Sequence, residues 1–296
     1  MLLSDIHIRD PFILADDGVY YLYGTRIGEN GVPRPCVGLD VYTSRDLVQW
    51  SEPVECFTRP DDFWADLDFF APEVHKYKGE YYMFVSFKST SRRMGSQILK
   101  ADSPMGKFLP FTDGPFTPED RTCFDATLYV ENGVPYSAFC QSWTQLGDGA
   151  MCSVRLSDDL SKAVSEVKTM FTAGQADWKF SVTGGPFGDE GNYITDGPFI
   201  RRNKSGKLVM TWSSFTDHCA YVVANAVSQS GTMEGPWVVG DPIFKNDGGH
   251  GMMFEGFDGK LYLVFHTPNV CPRERAVIYE IEETDDSFKT VRLAYK

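Results

Sequence analysis

Five versions of one short pattern recur along the 296-residue chain. Each version begins with a strand-like segment, passes through a tight turn that contains glycine, and continues into a segment rich in β-branched and aromatic residues. Asn-Gly and Asp-Gly pairs in such turns are strong hairpin signals, because the turn requires positive φ. The turn glycines lie 53 to 73 residues apart, and they are Gly18, Gly79, Gly133, Gly206 and Gly259.

Repeat units of this length have room for a blade of four strands with its loops. Helical periodicity is nearly absent from the chain, and no linker or low-complexity segment divides it. The sequence therefore predicts an all-β protein, a five-bladed β-propeller that forms one catalytic domain over residues 1–296.

The composition narrows the range of partners. Hydrophobic residues make up 42% and charged residues 23% of the chain, and the formal net charge is -13. A negative field of this size repels phosphate backbones and anionic lipid surfaces. We therefore expect neither nucleic acid nor a membrane as a partner. A neutral oligosaccharide meets no such repulsion, and the aromatic content of 14% suits both strands and surfaces that stack on flat ligands.

The cysteines and the N-terminus bear on the compartment. The seven cysteines are scattered, with no pair at metal-ligand spacing, which predicts buried thiols in a reducing compartment. Residues 1–5 lack a basic region followed by a long apolar run, so no signal peptide is predicted. We expect a cytoplasmic protein, or a secreted one if a leader has been removed. The cysteines are Cys36, Cys56, Cys123, Cys140, Cys152, Cys219 and Cys271.

Ionisable residues recur at similar positions in the repeats. Asp10 and Asp125 lie eight residues before their turn glycines, His250 nine and Asp196 ten, while Ala71 takes this place in the second repeat. The inner strands of a propeller surround one channel, so equivalent positions converge. A single aspartate of this kind is best explained as a turn or cap residue. Three of them at such positions favour a functional cluster, whereas for His250 the structural and functional interpretations are evenly balanced.

Clustered carboxylates fit the hydrolysis of glycosidic bonds. One carboxylic acid protonates the leaving oxygen and one carboxylate activates water, at a separation of about 6.5–9.5 Å in inverting enzymes. A third carboxylate raises the pKa of the acid through like-charge repulsion. The alternative use of such a cluster is a metal site, since hard cations also bind carboxylates.

The motifs around these residues resemble those of glycoside hydrolase family 43, whose members share the five-bladed propeller and hydrolyse furanosides and xylosides with inversion. The resemblance implies that Asp10, in Arg-Asp-Pro, is the general base. It implies that Asp125, in Phe-Asp-Ala, adjusts the pKa of the acid and orients the substrate. Asp196, in Thr-Asp-Gly-Pro, is then the general acid.

The same resemblance covers the second and fifth repeats. Residues 70–73, Phe-Ala-Pro-Glu, resemble the second-blade motif, in which Phe70 replaces the usual Trp but keeps an aromatic face. His250 resembles a histidine near the channel centre, beside a bound water or calcium ion. We therefore expect no required cofactor, and we assign His250 as a metal contact through water if calcium occupies the channel.

One departure from the family affects the acid. The family normally has Glu before Gly-Pro, whereas this chain has Asp196, which is shorter by one methylene group. Proton transfer is sensitive to displacements of that size. Asp196 is still expected to act, with Glu190 as the alternative proton donor. A non-catalytic glycan-binding propeller is the alternative function that this departure favours.

The substrate is expected to be an oligosaccharide or a polysaccharide side chain. Activities within the family differ in the loops at the rim, and the chain shows no β-sandwich after the fifth repeat. These features favour an α-L-arabinofuranosidase that acts on plant-type or furanoside glycans, with β-xylosidase and β-galactofuranosidase as alternatives. The residues predicted to contact substrate are Arg9, Trp64, Phe70, Trp143 and His250. For the two tryptophans, packing between blades is an equal alternative.

Overall fold

The computed structural model describes residues 1–27, 38–216 and 220–296. Strands dominate these residues and form five antiparallel sheets of four strands each. Each sheet is built from four strands that follow one another along the chain, with the first strand innermost. The predicted five-bladed β-propeller is therefore confirmed. Helix is confined within the described residues to α1 (Trp143–Leu146) and two short 3-10 segments, Leu3–Asp5 and Ala173–Gln175.

The strands divide among the blades in chain order. Blade 1 contains β1 (Ile8–Asp16), β2 (Val19–Arg26), β3 (Gly38–Ser44) and β4 (Val54–Thr58). Blade 2 contains β5 (Phe69–Tyr77), β6 (Glu80–Phe87), β7 (Gly95–Ala101) and β8 (Leu109–Pro110). Blade 3 contains β9 (Cys123–Glu131), β10 (Val134–Gln141), β11 (Ala150–Arg155) and β12 (Lys168–Thr172). Blade 4 contains β13 (Asp196–Arg202), β14 (Leu208–Phe215), β15 (Tyr221–Ser228) and β16 (Trp237–Phe244). Blade 5 contains β17 (Gly249–Glu255), β18 (Leu261–Thr267), β19 (Arg275–Glu283) and β20 (Phe288–Tyr295).

The predicted turn glycines all lie between the first and second strands of a blade. All five have positive φ, for example 74° at Gly18 and 83° at Gly133. L-residues with a side chain adopt this conformation only at a cost. The hairpins that were predicted from the repeat are therefore confirmed, and they fix the direction in which each inner strand runs.

Apolar side chains fill the spaces between neighbouring blades. One buried cluster joins blades 2 and 3, another blades 3 and 4, and another blades 4 and 5, while the largest joins blades 5, 1 and 2. The alternation of side chains along a strand places one row on each side of a blade. The blades therefore pack into a ring, and the inner strands surround a common axis.

Five cysteines lie within the described residues. Cys56, Cys123, Cys140 and Cys152 are buried free thiols, as predicted, and Cys271 is an exposed free thiol. Cys36 and Cys219 lie outside the described residues. None of the helices in the described part of the chain has the length and apolar character needed to span a membrane.

Candidate active site

The inner strand of every blade has a β-bulge close to its start. The residue at each bulge has a positive φ, between 46° and 54°. A bulge changes the direction of side chains, and holding a non-glycine residue in this region costs roughly 1–2 kcal/mol. The bulges therefore direct particular residues toward the axis, and these residues are Asp10, Ala71, Asp125, Gly197 and His250.

Asp196 is not the equivalent of Asp10 and Asp125. The bulge of blade 4 lies at Gly197, and Asp196 pairs with Ser213 in the register that Arg9 has in blade 1. The predicted equivalence is therefore wrong by one residue. The reason is that the spacing between bulge and turn glycine varies among the blades, so counting from the glycine does not fix the register.

Hydrogen bonds between blades hold four of the five bulges. In each case the backbone N–H of the bulged residue donates to a side chain on the second strand of the preceding blade. Every bulge held in this way depends on a correctly docked neighbour, so the site forms only when the ring is assembled. The bonds run from Asp10 to His266 Nδ1 (3.1 Å), from Ala71 to Thr25 Oγ1 (2.8 Å), from Asp125 to Ser86 Oγ (2.6 Å) and from His250 to Ser213 Oγ (2.8 Å).

The three aspartates surround the ring of His250. Its Nδ1 lies 3.1 Å from Asp196 Oδ1, 3.3 Å from Asp10 Oδ1 and 3.7 Å from Asp125 Oδ2. The side chains of His250, Asp10 and Asp125 are buried, whereas that of Asp196 is 20% exposed. Asp196 is therefore the carboxyl group of the three that a bound ligand reaches most easily.

The charge of His250 governs the titration of Asp10. Burial lowers the pKa of His250, but the negative charges of Asp10 and Asp125 and the hydrogen bond to Asp196 outweigh burial and raise it to about 10. Burial likewise raises the pKa of Asp10, but the positive charges of His250 and Arg9 outweigh it and bring the pKa below its ordinary value. Asp10 is therefore an ionised carboxylate beside an imidazolium at neutral pH.

Asp125 and Asp196 share one proton. Burial raises the pKa of Asp125 well above its ordinary value, and the negative charge of Asp196 raises it further. Burial also raises the pKa of Asp196, but hydrogen bonds and charge from His250, with hydrogen bonds from Asp125 and Tyr221, outweigh it and lower this pKa. Two interacting carboxyl groups titrate as a pair. In this arrangement Asp125 carries the proton and Asp196 the negative charge.

The Asp10 carboxylate is fixed from two further sides. Thr25 Oγ1 donates a hydrogen bond of 2.6 Å to Asp10 Oδ2. Arg9 lies beside it, with Nε 3.5 Å from Asp10 Oδ1, and Arg9 also pairs with the fully buried Glu274 at 3.2 Å. His266 accepts the Asp10 amide on Nδ1, and burial lowers its pKa to about 4, so it is neutral. Asp10 therefore has a single well-defined orientation.

A cavity of about 300 Å³ opens above these carboxylates. All three aspartates line it, and so do three of the residues predicted to contact substrate, Arg9, Phe70 and His250. Its size is at the small end of ligand pockets. The remaining two lining residues, which the sequence analysis did not single out as substrate contacts, are Met94 and Phe124.

The two tryptophans predicted to contact substrate do not line this cavity. The Trp64 indole donates to Gln97 (2.6 Å), lies under the Arg92 guanidinium and packs against Phe87, so blade packing accounts for it. Trp143 is half-buried at the start of α1. This helix follows the end of β10, where Cys140 pairs with Phe124 of β9. Its role in substrate contact stays a prediction.

Glu190, the alternative proton donor, is exposed in the segment before Asp196 and is not among the lining residues. Tyr221 and His266, which were not predicted from the sequence, contact the cluster directly, as do the hydroxyl groups of Thr25 and Ser86. Neither Tyr221 nor His266 belongs to the motif that recurs at the start of each inner strand, so the repeat did not predict them.

Asp125, Asp196 and His250 each bring one potential ligand atom within 4.8 Å of the others. Calcium takes about 6–8 oxygen ligands, whereas one of these three donors is an imidazole nitrogen that already contacts carboxylates at hydrogen-bond distance. As direct ligands the three residues do not fit calcium, because they offer two carboxylates and an imidazole nitrogen where calcium takes about six or more oxygens. The contact of His250 with a metal through water stays a prediction.

An ionised carboxylate and a carboxylate pair that retains a proton, on the floor of one cavity, are the groups that acid–base hydrolysis of a glycosidic bond requires. The chain belongs to glycosyl hydrolases family 43, whose sequence model matches residues 4–286. It is therefore a glycoside hydrolase, and the family hydrolyses O-glycosyl bonds with inversion. A comparison with curated protein sequences gave no match.

Solved structures agree with this assignment. The chain is 36% identical to the endo-arabinase from Bacteroides thetaiotaomicron VPI-5482, with 97% of this chain and 99% of that chain covered and a TM-score of 0.89. Two structures at 17% identity show the same fold. One is the α-L-arabinofuranosidase from Lactobacillus brevis (100% of both chains, TM-score 0.75). The other is a β-xylosidase/α-arabinofuranosidase from a compost metagenome in a calcium-free form (98% and 96%, TM-score 0.73).

Proposed function

We propose that the protein hydrolyses α-L-arabinofuranosyl bonds in furanoside glycans, as an arabinofuranosidase or an arabinan-cleaving enzyme. The observation that carries the reaction is the cluster around His250, where an ionised Asp10 and the proton-sharing pair Asp125–Asp196 line one cavity. The sugar assignment is supported by 36% identity, over nearly the whole chain, to a structure described as an endo-arabinase.

In the proposed reaction Asp10 is the general base. Its ionised carboxylate takes a proton from water while the water oxygen forms a bond to the anomeric carbon. Thr25 holds the second oxygen of Asp10 at 2.6 Å, so the carboxylate does not rotate away during the attack. His250 and Arg9 keep Asp10 ionised before the proton arrives.

Asp196 is the proposed general acid. The bond between the anomeric carbon and the leaving oxygen breaks, its electron pair goes to that oxygen, and the oxygen takes the proton held by the Asp125–Asp196 pair. Asp125 is the buried member that retains the proton between turnovers. It passes this proton through their hydrogen bond to Asp196, the more exposed member, which donates it to the leaving oxygen and leaves Asp125 ionised until it is reprotonated. This division explains how a carboxylate pair near neutral pH still holds a proton to donate.

The facing oxygens of the proposed acid and base lie closer together than the carboxyl groups of inverting enzymes. Asp10 Oδ1 and Asp196 Oδ1 are each within 3.3 Å of the same nitrogen of His250, so they are separated by no more than about twice that distance. Inverting enzymes have carboxyl groups about 6.5–9.5 Å apart. Substrate binding is therefore expected to open this gap slightly to admit the attacking water.

The test compares the parent with Asp10→Ala and Asp196→Asn on aryl α-L-arabinofuranosides, β-D-xylosides and β-D-galactofuranosides. The parent should hydrolyse arabinofuranosides that have a poor leaving group. In both variants kcat on these substrates should fall about 10²–10⁴-fold. A dinitrophenyl arabinofuranoside, which needs no protonation on leaving, should restore most activity to Asp196→Asn and none to Asp10→Ala. Nuclear magnetic resonance of the first product should show the β-anomer, as inversion requires.

Each assignment has a result that would contradict it. Faster turnover of the xyloside or the galactofuranoside than of the arabinofuranoside would contradict the proposed arabinofuranosyl specificity. Full activity of Asp196→Asn on substrates with a poor leaving group would show that Asp196 is not the acid. The activity of Glu190→Gln, which we expect to equal that of the parent, would then decide whether Glu190 donates the proton. Binding of arabinan without turnover of any substrate would favour the glycan-binding alternative.

The proposed reaction uses no metal, because the base, the proton and the cations beside them, His250 and Arg9, all come from the chain's own side chains. Activity is therefore expected to survive treatment with a chelator. Loss of activity that added calcium restores would contradict this expectation and would show that the enzyme requires the ion.

A further inference from the structure

The hydroxyl of Tyr221 donates a hydrogen bond of 2.5 Å to Asp196 Oδ2. Tyr221 is the first residue of β15, and its side chain is 1% exposed. Burial raises its pKa well above the ordinary value and the charge of Asp196 raises it further, so the hydroxyl keeps its proton and acts as a donor. The bond joins Oδ2, while Oδ1 of the same carboxylate faces His250.

The Tyr221 ring packs against Gly249 and His266. A Cβ on Gly249 would lie 2.3 Å from Tyr221 Cε1, so the glycine at this position leaves room for the ring. The ring stacks on the imidazole of His266 with centroids 5.6 Å apart, and His266 accepts the backbone N–H of Asp10. The Tyr221 side chain therefore contacts Asp196 directly, and it also contacts His266, which holds the backbone of Asp10.

We propose that Tyr221 is a positioning residue for Asp196, and that it fixes the orientation of this shorter acid for proton transfer to the leaving oxygen. The inference rests on the proposed role of Asp196. A carboxyl group on a single methylene has few ways to correct a misplaced proton, and catalysis depends on such geometry. A donor on Oδ2 also stabilises the carboxylate that remains after Asp196 has released its proton.

The test is Tyr221→Phe, which keeps the ring and removes only the hydroxyl. We expect kcat on arabinofuranosides with poor leaving groups to fall about 10- to 100-fold, as for loss of one hydrogen bond to a charged group, with KM little changed. On the dinitrophenyl arabinofuranoside the variant should approach the parent. The dependence of kcat on leaving-group pKa therefore becomes steeper in the variant.

Tyr262→Phe is the matched control. Tyr262 is 2% exposed, donates a hydrogen bond of 2.8 Å to Asp258 Oδ2 and stacks on Phe254 with centroids 5.5 Å apart, at the far end of its blade from the site. A purely structural effect of losing a buried tyrosine hydroxyl should appear in both variants as a similar loss of stability. Only Tyr221→Phe should change the leaving-group dependence.

The double variant Asp196→Asn/Tyr221→Phe separates this inference from the proposed function. If Tyr221 acts through Asp196, adding Tyr221→Phe to Asp196→Asn costs no further activity. Additive losses, an equal loss on all leaving groups, or no loss in Tyr221→Phe would each overturn the role of Tyr221 while Asp196 remains the acid. Full activity of Asp196→Asn alone would instead overturn the proposed acid.

Discussion

At the scale of residues, the site is a balanced set of buried charges. The ionised Asp10 and Asp196 face the cations His250 and Arg9, and the third carboxyl group, Asp125, keeps its proton. Buried charges are tolerated when they are paired and hydrogen-bonded. The site therefore offers the ionised Asp10 as a base and one proton in the Asp125–Asp196 pair as an acid, and hydrolysis with inversion requires both.

His266 makes the stability of the fold sensitive to acid. Its pKa is lowered to about 4 in the folded protein, against about 6.5 for an unfolded histidine. Between these values the unfolded state binds a proton that the folded state does not, so stability falls as the pH drops from about 6.5 to about 4. We expect a loss on the order of 3 kcal/mol from this residue.

Urea unfolding of the parent and of His266→Gln across that range measures this effect. Glutamine retains an acceptor for the Asp10 amide but does not titrate, so the variant should show a smaller loss of unfolding free energy at low pH. Equal pH slopes in the two proteins would assign the acid sensitivity to other groups.

At the scale of elements, the bulges of the inner strands determine what reaches the axis. Gly197 occupies the bulge of blade 4, where Asp10, Asp125 and His250 occupy those of other blades. The absence of a side chain there is required, since a Cβ on Gly197 would lie 2.7 Å from His250 Cγ and 2.8 Å from its Cδ2. This glycine therefore leaves space for the imidazole that the aspartates surround.

Gly197→Ala is expected to lower both stability and activity. The new Cβ pushes His250 away from the carboxylates, and alanine at a φ of 47° costs about 1 kcal/mol or more. Gly206→Ala is the control, because its φ is 81° but no atom lies within 4 Å of a Cβ there. Both variants should unfold at lower urea concentration, and only Gly197→Ala should lose activity; equal activity in both would contradict the proposed crowding of His250.

The connection before β13 carries an exposed aromatic side chain. Phe187 is 77% exposed, and its ring lies over Gly147, where a Cβ would be 3.1 Å from Phe187 Cδ2. The connection is tied to this region by the bonds from Gly149 N to Tyr193 O (2.8 Å) and from Tyr193 N to Gly147 O (3.0 Å). It then leads directly into Asp196.

Phe187→Ala is expected to reduce kcat/KM on linear arabinan about 2- to 10-fold, the worth of one aromatic contact. Hydrolysis of a small aryl arabinofuranoside should be unchanged, because that substrate is held by the cavity alone. Phe257→Ala, at an exposed phenylalanine in the turn at the opposite end of blade 5, serves as the control. An equal effect of Phe187→Ala on both substrates would contradict a contact limited to the polymer.

At the scale of the whole molecule, the ring closes without a strand shared between blades in the described residues. Closure depends on the packing of blade 1 against blade 5, and the N-terminal segment adds contacts to both blades. The backbone N–H of Trp50 donates to the carbonyl of Met1 at 2.9 Å. Arg275, in blade 5, donates to the carbonyl of Ser4 at 2.9 Å and lies 2.8 Å from His7 Nε2.

Arg275→Met is expected to lower the free energy of unfolding by about 1–3 kcal/mol, because it removes the hydrogen bonds that join the two ends of the ring. Activity at low temperature should remain, since the residue does not line the cavity. Arg292→Met provides the comparison: this arginine is 64% exposed and pairs with Glu280 on the surface, so its loss should cost about 0–1 kcal/mol. Equal costs in urea unfolding would show that closure does not depend on Arg275.

Sequence alone determined the architecture and most of the cavity floor. The recurring strand, glycine turn and strand fixed five blades, because hairpin geometry is a local property of a few residues. The motif around each inner strand then identified Asp10, Asp125 and His250 as residues that converge on the axis, since equivalent strands of a propeller face one channel.

Only the tertiary structure decided the register of Asp196, the location of the proton and the roles of Tyr221 and His266 beside the aspartates. Register depends on a bulge whose distance from the turn differs between blades. The pKa values depend on charges that come together from opposite ends of the chain, as Asp10 and His250 do at 3.3 Å. Coulomb energies follow distances in space and burial, which no spacing along the sequence encodes.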